Sequence, residues 1–352
     1  MKKFALVTTT IFIPELLEGY ASNFKKFGWK DVFFVIAGDK KTPERIVDFC
    51  EKLQAKFGYK TNYLDIKRQE ELAPKLANYI PYNTLTRRNF GMLFAYQMGA
   101  DVIITIDDDN FVRDEDYLKA HSIVGEIKEL KCISSDVGWY NVCEVLKEER
   151  DRYFFHRGFP IDQRKFNVEP KISTKKTKII ANEGLWVDSP DVDVIALLNY
   201  GDLKVVNFNS SLFGNNFILE KGTWCPLNTQ NTAIAREALP SFFLNPPQIR
   251  YDDIWASFIL RKIADHLGDS VSYGQPIAEH KRNIHNYLKD LEKEFDGMKR
   301  TPELIKELRA IELSGKSYFD CTYELMEKLS ESFDDVKKGY RVWLETLEEY
   351  RE

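Results

Sequence analysis

The sequence predicts an α/β fold, with a parallel, Rossmann-like sheet in its N-terminal part and a C-terminal helical extension. One observation is that apolar, β-branched runs alternate with amphipathic segments up to about residue 120, as in parallel sheets covered by helices. A second is that a predicted strand at residues 102–106 ends abruptly in Asp107, Asp108 and Asp109. A third is that Lys and Glu dominate after about residue 286, where apolar residues recur at helical spacing.

The elements of the N-terminal part follow one another in a regular order. Strands and helices are predicted alternately at residues 4–9, 13–27, 32–37, 43–57, 63–66, 86–98 and 102–106. Ligands of such sheets lie at the carboxyl ends of the strands. We therefore expect Thr8, Asp39 and Asp107 to share one edge of the sheet.

The remaining elements are less regular, and they suggest how the chain is divided. Residues 132–285 are richer in Trp, Asn, Gly and Pro, and we predict that they form the half that faces the sugar and the acceptor. The predicted catalytic domain therefore covers 1–285, with halves at 1–120 and 121–285. The extension at 286–352 is predicted to form two or three helices broken at Gly315. The residues expected on its apolar faces are Leu288, Leu291, Phe295, Leu325, Leu329 and Phe333.

Composition excludes several classes of protein. Of the 352 residues, 43% are hydrophobic and 13% aromatic, which excludes a disordered chain. The net charge of -5 offers no basic field for a nucleic acid. No run approaches the roughly 18 apolar residues of a membrane span. The five cysteines are scattered and form no CxxC pair, so we expect a reduced, cytoplasmic protein.

The acidic triplet is the strongest single signal of a site. Carboxylates spaced as Asp107-x-Asp109 at a strand end can hold a hard divalent cation, which in turn neutralises a diphosphate. A nucleotide-sugar enzyme needs this arrangement. The alternative is that the triplet caps a helix running from about Asp114.

Two arginine motifs also suggest anion binding. Arg87 and Arg88 open a predicted helix, where guanidinium donors and free backbone amides suit phosphate. The alternative is an ordinary exposed basic pair. Arg157 lies among aromatic residues and should have a fixed anionic partner, because burying it unpaired is costly. Its alternative is a structural salt bridge.

A pair of aspartates and a histidine complete the candidates. Asp252 and Asp253 precede a predicted helix, so one could cap it while the other faces the pocket as a base or an acceptor for a sugar hydroxyl. Capping alone is the alternative. His280 is one of only five histidines, and a lone histidine is more often structural, but the acidic triplet argues for a metal ligand. No GxGxxG, P-loop or GxSxG motif occurs.

Several of these motifs in order resemble one known family. The segments RRNFG, IDDDNF, HRGFP, NEGLW, KGTW, RYDDIWA and EHK resemble the reversibly glycosylated polypeptide family, the UDP-arabinopyranose mutases, over residues 4–282. The resemblance implies the GT-A fold of nucleotide-diphospho-sugar transferases. It also implies that Asp107, Asp108 and Asp109 form a DXD-type site for Mn²⁺ or Mg²⁺ and the UDP diphosphate, with His280 as a further metal ligand.

The resemblance further implies roles for the arginines. In the family, an arginine seven positions before the RGYP-like motif is reversibly glycosylated, and the arginine of that motif is needed for activity. These positions are Arg150 and Arg157 here. The acidic flanks of Arg150 differ from those of plant members, which leaves Arg152 as an alternative acceptor. Trp186 lies in NEGLW where members read HGLW, a position expected to touch the sugar.

These expectations combine into three hypotheses about function. The first is a metal-dependent enzyme that interconverts the pyranose and furanose forms of a UDP-sugar, with reversible self-glycosylation on arginine. The second is a glycosyltransferase that passes the sugar to an external acceptor. The third is a non-catalytic scaffold that binds UDP-sugars. The residues expected to bind the nucleotide sugar are Thr8, Asp39, Arg87, Arg88, Asp107, Asp108 and Trp186. A UDP-sugar is the expected partner, and a homo-oligomer is left open.

Overall fold

A mixed sheet covered by helices forms the body of the protein. The structure, a computed structural model, describes residues 2–165, 168–283 and 286–351. The strands are β1 (Phe4–Thr9), β2 (Val32–Ala37), β3 (Lys60–Leu64), β4 (Val102–Ile106), β5 (Asn110–Val112), β6 (Ile127–Ser134), β7 (Leu146–Glu148), β8 (Lys171–Asp188), β9 (Val205–Phe208), β10 (Asn216–Leu219), β11 (Asn231–Ala235) and β12 (Ser270–His280).

Helices cover the sheet and form most of the C-terminal part. They are α1 (Leu17–Lys26), α2 (Ile46–Phe57), α3 (Ile66–Leu72), α4 (Pro74–Tyr79), α5 (Arg88–Gln97), α6 (Tyr117–His121), α7 (Val194–Tyr200), α8 (Ser210–Phe213), α9 (Asp252–Leu267), α10 (Tyr287–Ala310), α11 (Tyr318–Lys328) and α12 (Asp334–Glu348). Within the described ranges, no helix is long and apolar enough to cross a membrane.

The strand order confirms the predicted α/β class and its Rossmann-like half. The order begins β3-β2-β1-β4, and these four strands are parallel. All residues of β1, β2 and β4 are buried, as expected for a sheet covered on both faces. β11 pairs antiparallel with β4 on the side away from β1. β8 pairs with β11, and β12 pairs with β8. The carboxyl ends of β1 and β4 therefore lie side by side.

The predicted boundaries of several elements shift for local reasons. The helices predicted from residues 13 and 43 begin only at Leu17 and Ile46, because Pro14 and Pro43 lie in turns whose carbonyls accept from those residues. The strand predicted at 63–66 is Lys60–Leu64, since Asp65 already caps α3. The helix predicted at 86–98 begins as a single 3₁₀ turn before α5.

The predicted helical extension is confirmed, although one of its buried faces was predicted wrongly. Leu325, Leu329 and Phe333 are buried as expected, but the side chains of Leu288 and Phe295 are 68% and 63% exposed. The face of α10 that turns inward instead carries buried Glu294, which lies 2.7 Å from Arg250. Pairing the Arg250 charge thus overrides the apolar pattern, because an unpaired buried arginine is costly.

The extension packs against the body through shared core residues. Gly297 of α10 lies on the ring of Tyr251, which a Cβ atom on Gly297 would approach to 2.2 Å. Trp343 of α12 stacks on Phe243 with ring centroids 5.3 Å apart. The division into 1–285 and 286–352 stays a prediction, as does that at 120/121. The former boundary adjoins residues 284 and 285, which lie outside the described residues.

Candidate active site

A cleft lies where the carboxyl ends of β1 and β4 meet the end of β12 and the first turn of α9. Eight of the predicted site residues line it. The complete lining is Thr9, Leu85, Arg88, Asp107, Asp108, Asp109, Arg157, Asp191, Thr229, Gln230, Leu244, Arg250, Asp252, Asp253, His280, Arg282 and Asn283. The topology thus collects residues that are up to about three-quarters of the chain apart in sequence.

The acidic triplet is the short connection between β4 and β5, and it does not cap a helix. The next helix, α6, begins at Tyr117 and is capped by Asp116, so the capping alternative was wrong. β5 pairs antiparallel with β12, and Asn110 lies opposite His280. The backbone N–H of Lys281 accordingly donates to the carbonyl of Asp109 at 3.0 Å. This register brings the histidine to the triplet.

His280 makes a structural hydrogen bond to the backbone and also lies beside the acidic triplet, where a metal ligand was predicted. Its Nδ1 lies 2.7 Å from the carbonyl oxygen of Ser189, so Nδ1 carries the proton and donates. Nε2, on the other side of the ring, lies 3.5 Å from Oδ2 of Asp109. A backbone carbonyl that orients a histidine in this way is the usual outer support of a metal-binding imidazole.

The three carboxylates of the triplet differ in their environment. Burial raises the pKa of Asp107 despite the neighbouring charge of Arg88, with which Asp107 forms a salt bridge. Burial also raises the pKa of Asp108, whose carboxylate accepts from Thr10 Oγ1 at 2.6 Å. For Asp109 burial acts in the same direction, but hydrogen bonding and charge from His280 outweigh it and lower the pKa. Asp109 is therefore the most readily ionised of the three.

Arg88 is engaged with the acidic triplet by a salt bridge to Asp107. Across the described part of the chain, no group of three or more His, Cys, Asp or Glu side chains is placed to hold a metal ion. Arg88 occupies Asp107 and also donates to Thr229 Oγ1 at 2.7 Å. The alternative of an ordinary exposed basic pair was wrong for Arg88, because its side chain is 3% exposed. Its role toward phosphate stays a prediction.

Arg157 is held by two carboxylates. Its Nε donates to Asp191 at 2.9 Å, and its Nη2 donates to Asp253 Oδ2 at 2.7 Å. Gly158, with φ of 79°, brings the segment against α9, where a Cβ atom would lie 2.4 Å from Ile254. The expected fixed anionic partner is thus a pair of aspartates. With Nη1 bound to the carbonyl of Arg250 and to Asp253, little donor capacity is left for a ligand.

Asp252 and Asp253 have different surroundings although they are adjacent. Asp253 is buried, pairs with Arg157 and accepts from the backbone N–H of Thr229 at 3.2 Å. Asp252 has no salt-bridge partner in the described ranges and borders the cleft. Burial, followed by the charge of Asp253, raises the pKa of Asp252 to about 7. Asp252 is therefore the carboxyl group suited to exchange protons near neutral pH.

This difference predicts a pH-dependent gain in stability for Asp252→Asn. The Asp252 carboxyl binds its proton more tightly in the folded chain than at its ordinary value of 3.8. The contribution of this carboxyl group to stability is therefore lost as pH rises from about 4 to about 7. The variant lacks this loss, so its free energy of unfolding should exceed that of the unmodified chain by about 2–4 kcal/mol at pH 8. The two should be nearly equal at pH 4.

Urea unfolding at pH 4, 6 and 8 measures this difference. The matched control is Asp253→Asn, which weakens the pair with Arg157 and should destabilise the chain at all three pH values. An effect of Asp252→Asn that does not change with pH would show that the carboxyl is ionised throughout this range.

Four of the predicted nucleotide-binding residues lie outside the cleft lining. Arg87 is fully buried, and its Nε donates to Gln69 Oε1 at 2.7 Å. Thr8 is buried on the opposite face of β1 from Thr9, which borders the cleft. Asp39 accepts from the backbone N–H of Thr84 at 3.2 Å. Trp186 is fully buried against the ring of His156. Their contacts to a nucleotide sugar stay predictions.

The predicted acceptor Arg150 also lies away from the cleft. Its side chain is 59% exposed and its Nη1 lies 3.6 Å from Asp202. Arg152, the alternative acceptor, is 16% exposed and pairs with Glu148 at 2.5 Å. Glu148 also accepts from the backbone N–H groups of both arginines. Neither arginine is among the residues that line the cleft.

A larger cavity lies beside this arginine segment. Its volume is about 660 Å³, against about 180 Å³ for the cleft, and it is lined within residues 143–154 and 207–211. Its buried charges, Arg152 and Glu148, neutralise each other. The cleft is the stronger candidate because it alone brings together the acidic triplet, His280 and the paired aspartates.

The cleft also contains residues that the sequence analysis did not assign. Asp191 follows Ser189 and Pro190 and belongs to no recognisable motif. Only the fold brings it to Arg157. Arg282 ends the EHKR segment and borders the cleft. Its position was a usable signal, because Arg282 lies only two residues after His280, the last residue of β12.

The chain is similar to known proteins of one family. A family model described as "Reversibly glycosylated polypeptide" matches residues 16–350. UDP-arabinopyranose mutase 1 of Arabidopsis thaliana is 28% identical over 294 residues, covering 79% of this chain and 76% of that protein. Probable UDP-arabinopyranose mutase 2 of Solanum tuberosum is 27% identical, covering 98% and 89%. Among solved structures, glucosyl-3-phosphoglycerate synthase from Mycobacterium tuberculosis is similar at a TM-score of 0.41 and 12% identity, covering 89% and 82%.

Proposed function

Because the chain belongs to the reversibly glycosylated polypeptide family, we propose that it is an enzyme that acts on UDP-sugars. Specifically, it interconverts the pyranose and furanose forms of a UDP-sugar, as the names of its relatives suggest. The observation that carries the proposal is the convergence of Asp107, Asp109 and His280 on one cleft. The five cysteines, all free and buried, support a reduced compartment such as the cytoplasm.

A divalent cation, Mn²⁺ or Mg²⁺, fits the donor groups of the cleft. Asp107 and Asp109 offer oxygen ligands, and His280 offers an Nε2 lone pair that its bond to Ser189 leaves free. Six aspartates and four arginines line the cleft, so acidic side chains outnumber basic ones. When bound, such a cation would neutralise the diphosphate and make UDP a better leaving group.

Asp252 is the residue proposed to move protons. Exchange of a pyranose for a furanose ring breaks the bond from C1 to the O5 oxygen and forms one to O4, so O5 gains a proton and O4 loses one. A carboxyl group with a pKa of about 7 can serve as both donor and acceptor at neutral pH. Arg157 keeps Asp253 paired, which confines this role to Asp252.

Self-glycosylation is the finer part of the proposal. The C1–O bond to UDP breaks, a C1–N bond to an arginine forms, and the guanidinium releases one proton while UDP leaves. Arg150 is exposed, which makes its side chain accessible as an acceptor, and it lies outside the residues that line the cleft. A guanidinium stays protonated at neutral pH, so a carboxylate such as the neighbouring Asp202 must accept its proton.

A panel of UDP-sugars tests this proposal directly. Incubation with UDP-arabinopyranose and Mn²⁺ is expected to yield the isomerised UDP-sugar, and EDTA is expected to stop the reaction. Chromatography of the nucleotides distinguishes the product from free UDP, and intact mass detects sugar on the protein. Stoichiometric release of UDP with transfer to an added acceptor would replace the mutase assignment by a glycosyltransferase one. Failure to convert or bind any UDP-sugar would reject both.

A further inference from the structure

The four arginines of the cleft differ in whether their charge is already paired. Arg88 binds Asp107, Arg157 binds Asp191 and Asp253, and Arg250 binds Glu294 at 2.7 Å. Arg282 has no carboxylate within 4.0 Å among the residues that the structure describes. It is therefore the one guanidinium in the cleft whose charge is not neutralised by direct contact.

The Arg282 side chain is anchored at one end only. Its Nη2 donates to the carbonyl of Pro190 at 2.8 Å, a neutral acceptor. Its Nε is shielded from solvent and has no hydrogen-bond acceptor in the described ranges. Leaving such a donor unpaired costs roughly 1–3 kcal/mol, more for a charged group. A folded chain that keeps this arrangement at the wall of a cleft has a site prepared for an anion.

The position of Arg282 indicates which anion. It follows the end of β12 by two residues, beside His280, and the next residue, Asn283, donates to Asp109 Oδ2 at 3.1 Å. An anion on Arg282 would thus lie next to the acidic triplet, as the diphosphate of a nucleotide sugar must. A guanidinium matches phosphate by two parallel N–H···O bonds.

We infer that Arg282 binds the diphosphate of the nucleotide in this cleft, in place of the Arg87 and Arg88 pair suggested by the sequence. Arg87 lies outside the cleft lining, and the charge of Arg88 is committed to Asp107. The inference rests on the proposed function, because it takes a nucleoside diphosphate as the ligand. It deepens that function by assigning the phosphate contact to one side chain.

Calorimetric titration of UDP into the full chain with Mg²⁺ tests the inference. Arg282→Ala is expected to weaken UDP binding about tenfold to a hundredfold, the value of a lost hydrogen bond to a charged group. Affinity for uridine, measured by ligand-observed NMR, should be unchanged because uridine has no phosphate. Arg282→Lys, which keeps the charge without the planar fork, should bind UDP with intermediate affinity.

Lys281→Ala is the matched control. It removes one positive charge at the neighbouring position, but Lys281 is 54% exposed and pairs with Glu279 at 3.3 Å. Equal losses of UDP affinity in Lys281→Ala and Arg282→Ala would show that any positive charge in this segment has the same effect on UDP binding. That result would overturn the inference. So would an unchanged UDP affinity in folded Arg282→Ala and Arg282→Lys.

The two ideas fail in different ways. An unmodified chain that binds no UDP overturns the proposed function and this inference with it. An unmodified chain that binds UDP, together with Arg282 variants that bind it equally well, overturns the inference alone. Far-UV circular dichroism of each variant establishes that a loss of binding is not a loss of folding.

Discussion

Asp109→Ala is expected to abolish the dependence of UDP binding on a divalent cation and to weaken UDP binding in Mn²⁺ by about a hundredfold or more. Asp109 is the one carboxylate of the triplet that contacts His280, with 3.5 Å between Oδ2 and Nε2. It is also the one whose pKa is lowered, because the effect of His280 outweighs that of burial. Without this carboxylate, a diphosphate would meet Asp107 and Asp108 with less cationic charge to offset them.

The measurement is calorimetric titration of UDP in Mn²⁺ and again in EDTA. Asp108→Ala is the matched control, since its carboxylate is bound by Thr10 Oγ1 and should matter less. The unmodified chain should lose most of its UDP affinity in EDTA. Equal affinity of the unmodified chain in Mn²⁺ and in EDTA would contradict both the prediction and the metal assignment.

Arg157→Ala is expected to lower the free energy of unfolding by about 3–5 kcal/mol. The substitution leaves two carboxylates, Asp191 and Asp253, without their shared counter-charge, and their side chains are only 3% and 7% exposed. Two like charges close together in a poorly solvated site cannot both remain ionised without a large penalty. The effect is therefore expected on stability as well as on activity.

Urea unfolding at neutral pH measures this change, and Arg150→Ala is the control. Arg150 lies seven residues earlier and forms an ion pair in which the side chains are 59% and 74% exposed, so its loss should cost less than about 1 kcal/mol. Adding Asp191→Asn and Asp253→Asn to Arg157→Met should recover part of the stability, because no buried charge then remains. Equal unfolding free energies for Arg157→Ala and the unmodified chain would show that Asp191 and Asp253 do not both carry a charge in the folded chain.

The extent to which the site was predictable follows from how local each signal is. The acidic triplet at the end of β4 differs in polarity from the apolar residues directly before it. It can therefore be recognised from the sequence without knowledge of the fold. The pairing of Arg157 with an anion was also expected from its apolar surroundings. Its partner Asp191 was not, because nothing near residue 191 distinguishes it from other aspartates, and the contact spans 34 residues in the chain.

The amino-acid sequence by itself determined the alternation of β1, β2 and β4 with helices, the helical C-terminus and eight of the residues that line the cleft. These depend on hydrophobic periodicity and on short motifs, which are properties of neighbouring residues. The tertiary structure decided which charges are neutralised. Arg88 is committed to Asp107, Glu294 of α10 pairs with Arg250, and Arg282 has no carboxylate partner among the residues that the structure describes. Whether a buried charge is paired depends on groups brought together from distant segments, and periodicity contains no information about those distances.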